Sequence, residues 1–426
     1  MNKLVNPNKQ NWLQLTQRPV SEISELKNIV NQIFDEIKKD GDEAVKKYSR
    51  LYDKADLDSL AVNEKEITNA SAKVSEELKQ AIQLAKSNIE KFHASQRESL
   101  KIIEPVKGVS CWRESRAIEK VGIYIPGGTA PLFSTVLMLG IPAKLAGCKE
   151  VILCTPPDKS GKINNVILYA ANLVGITSIF SVGGIQAIGA MTFGTNCITK
   201  VDKIFGPGNQ YVTAAKQEAQ NFGVAIDMPA GPSEVLIIAD ITCNPSFVAA
   251  DLLSQAEHGK DSQVILLSDN DNVIDQILLE LKPQVKALPR KEIAQQALEN
   301  SKAIVLSTLK ECIDFSNVYA PEHLILAGNN FKPFIPEITN AGSVFIGNYS
   351  CESAGDYASG TNHTLPTNGY ARNYSGVSLD SFVKKITFQE LTKEGIQNIG
   401  PSIELMAEGE QLFAHKNAVT LRLKSF

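Results

Sequence analysis

Val121-Gly122-Ile123-Tyr124-Ile125-Pro126-Gly127-Gly128 is the stretch that decides the fold. Its large apolar residues alternate with smaller or polar ones, as in a strand, and the proline and glycines then end that strand in a tight turn. An apolar stretch over 131–147 follows and is predicted to be a helix. Strand, glycine turn and helix in this order are typical of a parallel βαβ unit.

The same pattern repeats along most of the chain. Further strands are predicted in 151–157, 178–184 and 201–205, and again at 234–239, 263–268, 302–307 and 343–346. Helices are predicted between them, at 163–174, 245–256, 271–281 and 308–317 among others. The pattern is interrupted by the proline- and glycine-rich segment 228–232, so the sequence predicts two successive α/β blocks divided near residue 230.

The two ends of the chain differ from these blocks. Residues 21–51 and 63–100 are rich in charge and carry apolar residues at helical spacing, which predicts long amphipathic helices with little chemistry. Residues 1–20 indicate an arm with no core of its own. The final 50 residues contain a β-like stretch at 376–388 and then a helix from about 401.

Composition excludes several classes of protein. A chain of 426 residues is long enough for about two to three domains. With 43 basic against 47 acidic residues and no polybasic run, we expect a small-molecule ligand and neither nucleic acid nor a membrane surface. The seven cysteines are scattered, which favours a reducing cytoplasm. No apolar run approaches the roughly 20 residues of a membrane span or forms a signal peptide, so we expect a soluble cytoplasmic protein.

Three glycine turns are candidates for binding an anionic ligand. They lie at 126–128, 183–184 and 206–209, each after a predicted strand and before a predicted helix. In such turns backbone N–H groups approach a phosphate closely, although plain tight turns are the more common explanation of each turn alone. The chain has no Gly-x-Gly-x-x-Gly fingerprint. The three turns together favour, weakly, a nucleotide at the carboxyl edge of this sheet.

Four of the five histidines fall in the second half of the chain, each near a carboxylate, an amide or a glycine. Such surroundings suit a metal-assisted proton-transfer site. Gln255 and His258 are three residues apart on a predicted helix and share one face, which is compatible with half of a zinc site. For this segment alone, a histidine that caps the carbonyls at the helix end before Gly259 is the more common explanation.

The remaining histidines have carboxylate neighbours. Glu322 and His323 follow a proline, and on an extended chain they point to opposite sides, so they could flank one substrate as acid and base, or form an exposed loop pair. Asp356 lies in a long irregular stretch of small polar residues seven positions before His363. Glu410 and His415 fall on the last predicted helix, and the default for them is a solvated helix surface.

These segments together resemble the histidinol dehydrogenase family, the zinc- and NAD-dependent enzymes that complete histidine biosynthesis. The resemblance covers nearly the whole chain and departs from the family at none of the site positions. The most family-specific strings are those at 121–128, 203–209, 227–234, 253–259, 320–324 and 371–376.

The resemblance implies a role for each candidate residue. It implies one zinc ion per subunit, held by Gln255, His258, Asp356 and His415. It implies a binding site for L-histidinol made of those four ligands together with Ser233, His323, His363 and Glu410. It implies that NAD is contacted by Tyr124, Gln186 and Asn209. Glu322 and His323 would be the catalytic acid/base pair.

The fold implied is α/β, with two Rossmann-like parallel α/β domains, a helical N-terminal arm and a small C-terminal domain exchanged in a homodimer. The expected arm is 1–20, and the expected domains are 21–123 plus 234–376 (zinc and substrate side), 124–233 (NAD side) and 377–426 (dimerisation). Glu410 and His415 would then complete the active site of the other subunit.

The implied reaction is a four-electron oxidation of L-histidinol to L-histidine through histidinaldehyde. His323 would take the hydroxyl proton and Glu322 would activate the water that hydrates the aldehyde, while zinc orients the substrate. Three other functions are alternatives to this one: a related zinc/NAD dehydrogenase of another small amino alcohol or polyol, a zinc hydrolase that uses water activated by Glu322, and a non-catalytic binding protein.

Overall fold

The structure, a computed structural model, describes residues 1–18, 23–127 and 131–425. Gly128 of the first glycine turn, residues 19–20 of the expected arm and residues 21–22 that follow it lie outside the described residues. The described strands are β1 (Asn2–Val5), β2 (Ile103–Val106), β3 (Val109–Ala117), β4 (Lys120–Tyr124), β5 (Glu150–Thr155), β6 (Ser178–Ser181), β7 (Lys203–Phe205), β8 (Ala225–Ile226), β9 (Glu234–Ala239), β10 (Gln263–Ser268), β11 (Lys302–Val305), β12 (His323–Ala327), β13 (Ser343–Ile346) and β14 (Val383–Leu391).

The α-helices of the described residues connect and flank these strands. They are α1 (Trp12–Leu15), α2 (Ile23–Asp40), α3 (Asp42–Tyr48), α4 (Glu64–Ala70), α5 (Glu76–Ala94), α6 (Phe133–Ala146), α7 (Asn165–Val174), α8 (Gly184–Phe193), α9 (Gln210–Ala219), α10 (Pro245–Ala256), α11 (Asp271–Ala287), α12 (Lys291–Glu299), α13 (Leu309–Tyr319), α14 (Glu352–Tyr357), α15 (Lys393–Gly409) and α16 (Phe413–Leu423). None of the described helices is long and apolar enough to cross a membrane.

The first parallel sheet has five strands in the order β6-β5-β4-β7-β8. Val121 of β4 pairs with Val151 of β5 on one side and with Lys203 of β7 on the other. Strands β5 and β6 therefore lie on one side of β4, and β7 and β8, which come later in the chain, lie on its other side. This is the Rossmann order, in which the strand order reverses between β4 and β7. The strand and glycine turn predicted around Val121 thus form the centre of the sheet.

Helices cover both faces of this sheet. Ile123 packs in a cluster with apolar residues of α4 and α5, while Ile152 packs in a second cluster with residues of α2 and α3. The amphipathic helices predicted before residue 100 are thus confirmed. The domain boundaries expected from the resemblance stay a prediction, but this packing places the helices of residues 23–94 on the five-stranded sheet.

The second parallel sheet has six strands in the order β1-β11-β10-β9-β12-β13. From β9 onward its order repeats that of the first sheet. Strands β9 and β10 are buried along their whole length, as expected for parallel strands with both faces covered. The two sheets make this an α/β protein with two Rossmann-like halves.

Residues 1–18 depart from the expected helical arm. Asn2 to Val5 form β1, which pairs in parallel with β11, and Trp12 of the one-turn helix α1 packs edge-on against Phe315. The segment has no core of its own, as predicted, because it adds to the core of the second sheet. Pairing with β1 satisfies the backbone N–H and C=O groups of β11 that would otherwise form an open edge.

A small antiparallel sheet precedes the C-terminal helices. Strand β14 pairs with β3 from Val383↔Ala117 to Leu391↔Val109, and β2 adds to the other side of β3. The β-like stretch predicted at 376–388 corresponds to β14, whereas β2 and β3 were not predicted. The last helical region begins at Lys393 rather than near 401, and it consists of α15 and α16, which pack on each other.

Candidate active site

The candidate acid/base pair, Glu322 and His323, lies at the amino end of β12 in the six-stranded sheet, beside the amino end of β9. His323 is the first residue of β12 and pairs in register with Val235 of β9, next to Glu234. In open α/β sheets, ligands usually bind at the carboxyl ends of the strands. Here the candidate acid and base lie at the amino ends of the strands instead.

The backbone of one residue of β9, Glu234, contacts both members of this pair. The Glu234 N–H donates to Glu322 Oε2 at 3.0 Å, and His323 Nδ1 lies 3.2 Å from the Glu234 carbonyl oxygen. Glu322 Oε2 is 3.7 Å from His323 Nδ1, so the two side chains are close without a mutual hydrogen bond. The absence of a simple dyad was predicted, but the two side chains converge, because Glu322 occupies a bend just before β12 begins.

His323 is held as a neutral base. Its Nδ1 faces a carbonyl oxygen, which only accepts, so Nδ1 carries the proton and Nε2 keeps its lone pair. Nε2 is buried and has no hydrogen-bond partner among the described residues, and Asp356 Oδ1 lies 3.8 Å from it. Burial, with smaller contributions from neighbouring imidazoles, lowers the pKa of His323 to about 3.

Three side chains beside His323 could hold one metal ion. One ligand atom each from His258, Glu352 and Asp356 lies within 4.8 Å of the others. Glu352 and Asp356 are four residues apart on α14 and so share one face of it. Asp356 therefore lies on a short helix rather than in the irregular stretch that its small neighbours suggested. His258 lies just beyond the end of α10 rather than on it.

Gln255 connects this cluster to β9. Its side chain is buried in the last turn of α10, next to the Glu352 carboxylate and the Glu234 N–H. In the amide orientation that satisfies both neighbours, the nitrogen donates to Glu352 and the oxygen accepts from Glu234 at 2.8 Å. In the opposite amide orientation, the Gln255 oxygen faces the Glu352 carboxylate. A cation bound between the amide oxygen and the carboxylate oxygens would stabilise this orientation.

Among the described residues, Glu322, Glu352, Asp356 and Asp251 form no ion pair with a lysine or an arginine. Burial raises the pKa values of Glu322 and Glu352 well above the ordinary range, and neighbouring carboxylates contribute. Burial also raises the pKa values of Asp356 and Asp251 to about 7. Glu352 Oε2 and His323 Nε2 are buried without a hydrogen-bond partner among the described residues. A divalent cation with nitrogen and oxygen ligands fits this donor set.

His363 is fixed between the two sheets. Its Nδ1 donates to the Asp356 carbonyl at 2.9 Å, and its Nε2 accepts from the Thr135 hydroxyl of α6 at 3.0 Å. Burial lowers the pKa of His363 to about 4, so the ring is neutral. Both ring nitrogens of His363 are therefore occupied by contacts within the chain.

A large cavity lies at the carboxyl ends of the five-stranded sheet. It measures about 1080 Å³ and is lined by all three candidate NAD residues, namely Tyr124, Gln186 and Asn209. His258 and Arg290 of the other half of the chain also line this cavity. The cavity therefore extends to the metal-ligand cluster and is large enough for a dinucleotide.

The three candidate NAD residues also organise the cavity wall. The Tyr124 hydroxyl accepts from the Gly184 N–H at 3.1 Å, and Gln186 Nε2 donates to Asp53 Oδ2 at 3.1 Å. Gln186 Oε1 is buried without a partner among the described residues. The Asn209 side chain caps α9 by accepting from two of its N–H groups. Asn209 thus has a structural role in addition to its place in the cavity.

Glycine is required where the wall is tightest. Gly206 has φ +131°, and a Cβ there would lie 2.0 Å from the Tyr124 carbonyl oxygen. A Cβ on Gly127 would lie 2.2 Å from the ring of Pro156. The turns after β4 and β7 therefore have no room for a side chain at these two positions, and the Gly206 N–H is held by Asp227 Oδ2 at 2.8 Å.

The other candidate residues lie in two different places. Ser233 is half-buried and immediately precedes Glu234 of β9. Glu410 and His415 are both exposed, and within one chain the structure does not group them with the cluster. They do not share a helix, because Glu410 caps the end of α15 and Gln411, with φ +60°, separates it from α16.

Sequence reasoning missed four residues of this region. Glu352 joins the metal-ligand cluster, Asp53 holds Gln186, Thr135 holds His363, and Glu234 organises the acid/base pair. Only Glu352 had a local signal, a carboxylate four positions before Asp356. The other three act through contacts with residues far away in the sequence.

A dinucleotide-sized cavity that reaches His258 of a cluster of metal-ligand side chains, on a fold of two Rossmann-like halves, indicates an oxidoreductase. Comparison with known proteins specifies the family. A family model described as histidinol dehydrogenase matches residues 16–423. Histidinol dehydrogenase of Bacteroides thetaiotaomicron is 56% identical over 426 residues, which cover 100% of both chains. That of Escherichia coli O6:H1 is 52% identical over 415 residues, 97% of this chain and 95% of that protein.

A solved structure gives the same result. The crystal structure of histidinol dehydrogenase from Elizabethkingia anophelis has a TM-score of 0.98 and 68% sequence identity to this chain, covering 100% of this chain and 98% of that one. This chain belongs to the histidinol dehydrogenase family.

Proposed function

We propose that this protein oxidises L-histidinol to L-histidine through histidinaldehyde with two molecules of NAD, in the last steps of histidine biosynthesis. The observation that carries the proposal is the state of His323. It is a buried, neutral imidazole whose unpaired Nε2 faces Asp356 of the metal-ligand cluster. An alcohol releases hydride readily only when its O–H proton is removed, and a base of this kind performs that step.

We propose that one zinc ion per subunit is held by Gln255, His258, Asp356 and His415, the last from a second copy of the chain. The clustering of His258 and Asp356 and the contact of Gln255 with Glu352 support this assignment. When bound, zinc orients the amino and imidazole nitrogens of the substrate and stabilises the carboxylates around it. Glu352 would remain within reach of the ion.

Two residues of the chain move protons in the proposed reaction. His323 accepts the hydroxyl proton at Nε2 in each oxidation, while Nδ1 stays bound to the Glu234 carbonyl. Glu322, oriented by the Glu234 N–H, takes a proton from the water that adds to the aldehyde carbon. Each oxidation removes one hydride and one proton, and ionisation of the product carboxyl group releases a third proton. The sum is therefore L-histidinol, water and two NAD⁺ giving L-histidine, two NADH and three protons.

We propose that NAD binds in the large cavity. Tyr124, Gln186 and Asn209 line it, and the partnerless Gln186 Oε1 can accept from a ligand there. When bound, NAD accepts the hydride. Substrate contacts would come from Ser233, His363 and Glu410 in addition to the zinc ligands.

We propose a homodimer in which the C-terminal helices complete the site of the other subunit. Leu405 and Met406 of α15 and Phe413 of α16 are exposed apolar side chains, and Glu410 and His415 lie beside them. Burial of such side chains favours association with a second copy. The free cysteines suit a reducing compartment, and we assign the protein to the cytoplasm.

The proposal is tested by counting NADH formed per molecule of L-histidinol, before and after chelation of metal. Two NADH per substrate, loss of turnover on chelation and its return with zinc are expected. A yield of one NADH per substrate would refute the four-electron reaction. Turnover of unrelated amino alcohols as fast as L-histidinol would refute the substrate assignment.

A further inference from the structure

A buried ion pair lies directly behind the acid/base pair. Arg18 donates from Nε and Nη2 to the two carboxylate oxygens of Glu234, each at 2.8 Å. The side chains are 11% and 2% exposed, so water contributes little to this contact. The Arg18 guanidinium also lies over the Tyr319 ring, 3.8 Å from its centre, and the Tyr319 hydroxyl donates to Glu234. The Glu234 carboxylate is therefore fixed from two sides.

Glu234 connects this ion pair to the reacting groups. Its carboxylate contacts Arg18, while its own N–H and carbonyl contact Glu322 and His323. A small rotation of the Glu234 backbone would change both contacts at once. Catalytic geometry is sensitive to displacements of this kind, since a shift of about 1 Å can lower a rate about 100-fold.

Arg18 also holds the turn that leads into the acid/base pair. Its Nη2 donates to the Tyr319 carbonyl at 2.8 Å and lies 3.4 Å from the Ala320 carbonyl. Ala320 has φ +54°, a left-handed conformation that is unfavourable for a residue with a Cβ. Only Pro321 separates Ala320 from Glu322. Arg18 thus contacts both segments whose relative position sets the geometry of Glu322 and His323.

A buried ion pair is weak support for stability alone, because the desolvation of the two charges opposes their attraction. The planar guanidinium fork of Arg18, in contrast, can fix the relative position of two chain segments, since it donates to the Glu234 carboxylate and to the Tyr319 carbonyl. We propose that Arg18 is a positioning residue for the oxidation reaction. It acts through Glu234 and the turn at Ala320. This inference rests on the proposed function.

The test uses Arg18→Lys, which keeps the charge and loses the fork, with Lys3→Gln as the matched control. Lys3 lies in the same N-terminal segment as Arg18, but at the exposed edge of the sheet, where it forms an ion pair with Asp275. In the full-length dimer, kcat for L-histidinol and for histidinaldehyde should fall about 10- to 100-fold in Arg18→Lys. The KM for NAD and the bound zinc should stay within about twofold of wild type, and Lys3→Gln should match wild type throughout.

A double variant separates positioning from stability. Arg18→Gln alone leaves the Glu234 charge buried and unpaired, whereas Arg18→Met combined with Glu234→Gln leaves no charge there. We expect the double variant to regain resistance to urea but not kcat. Recovery of kcat together with stability would show that the pair is only structural and would overturn the inference.

The remaining outcomes are also decisive. A folded Arg18→Lys protein with wild-type kcat overturns the inference and leaves the proposed function intact. A wild-type protein that forms no NADH from L-histidinol overturns both.

Discussion

Replacing Glu322 with glutamine should separate the two oxidations. Glu322 Oε2 accepts from the Glu234 N–H at 3.0 Å, and an amide oxygen can keep that bond. The bond's contribution of about 1 kcal/mol to folding is therefore retained. What the variant loses is the carboxylate that we propose takes a proton from water. A positioned base accelerates such a step about 10²–10⁴-fold, equivalent to about 3–5 kcal/mol of activation free energy.

The expected result is a selective loss in the second oxidation. Oxidation of histidinaldehyde requires hydration of the aldehyde, whereas oxidation of L-histidinol requires only removal of its hydroxyl proton, for which His323 is the proposed base. We therefore expect Glu322→Gln to slow aldehyde oxidation about 10²–10⁴-fold and alcohol oxidation by less than about tenfold. Single-turnover NADH formation, started separately from each substrate, measures the two rates.

His323→Asn is the control, because it removes the base proposed for both oxidations and should slow both similarly. Bound zinc and urea resistance of Glu322→Gln should match wild type, which shows that the site is intact. Equal slowing of the two oxidations in Glu322→Gln would refute the role of Glu322 as the base for water.

Three further predictions follow from other contacts. Lys216→Met should lower the free energy of unfolding in urea by about 3–5 kcal/mol, because Asp227 is left as a buried unpaired charge, and adding Asp227→Asn should restore much of that loss. His258→Asn should lower zinc content measured by elemental analysis, and full occupancy would contradict its assignment as a ligand. Burial lowers the pKa of His93 in the folded protein below 6.5, so the unfolded chain takes up a proton at His93 at a higher pH than the folded protein does. The stability that neutral His93 contributes is therefore present above pH 6.5 and is lost as the pH falls toward the pKa of the folded state. The stability difference between wild type and His93→Gln should therefore narrow from pH 7.5 to pH 5, and a constant difference would contradict this.

The two parallel sheets were predictable because their strands carry a local signal. β9 and β10 are continuous apolar runs that end at polar or glycine-containing turns, and burial on both faces requires such runs. β2 and β3 carry no such signal. β2 is exposed along its whole length, and the longer partner of β3 is β14, some 270 residues later. Neither strand shows the alternation that a buried face imposes.

The residue types of the candidate site were predictable, but their arrangement was not. His258, Asp356 and the Glu322–His323 pair were singled out from their neighbours, and the resemblance gave them roles. The convergence of Glu322 and His323 on Glu234 depends on the register of β12 against β9, which no local pattern specifies. Glu352 was missed because the small residues that follow it indicated a loop, although they form a helical turn.

The pairing of β1 with β11 has a consequence for the order of folding. Asn2 pairs with Lys302, so roughly 300 residues separate the partners. At a synthesis rate of about 5–20 residues per second, the first strand leaves the ribosome about 15–60 s before its partner. Arg18 precedes Tyr319 by a similar interval. The contacts of Arg18 with Tyr319 and the pairing of β1 with β11 therefore form only after most of the chain has been made. A nascent chain that lacks its last quarter cannot yet hold Glu322 and His323 in their final positions.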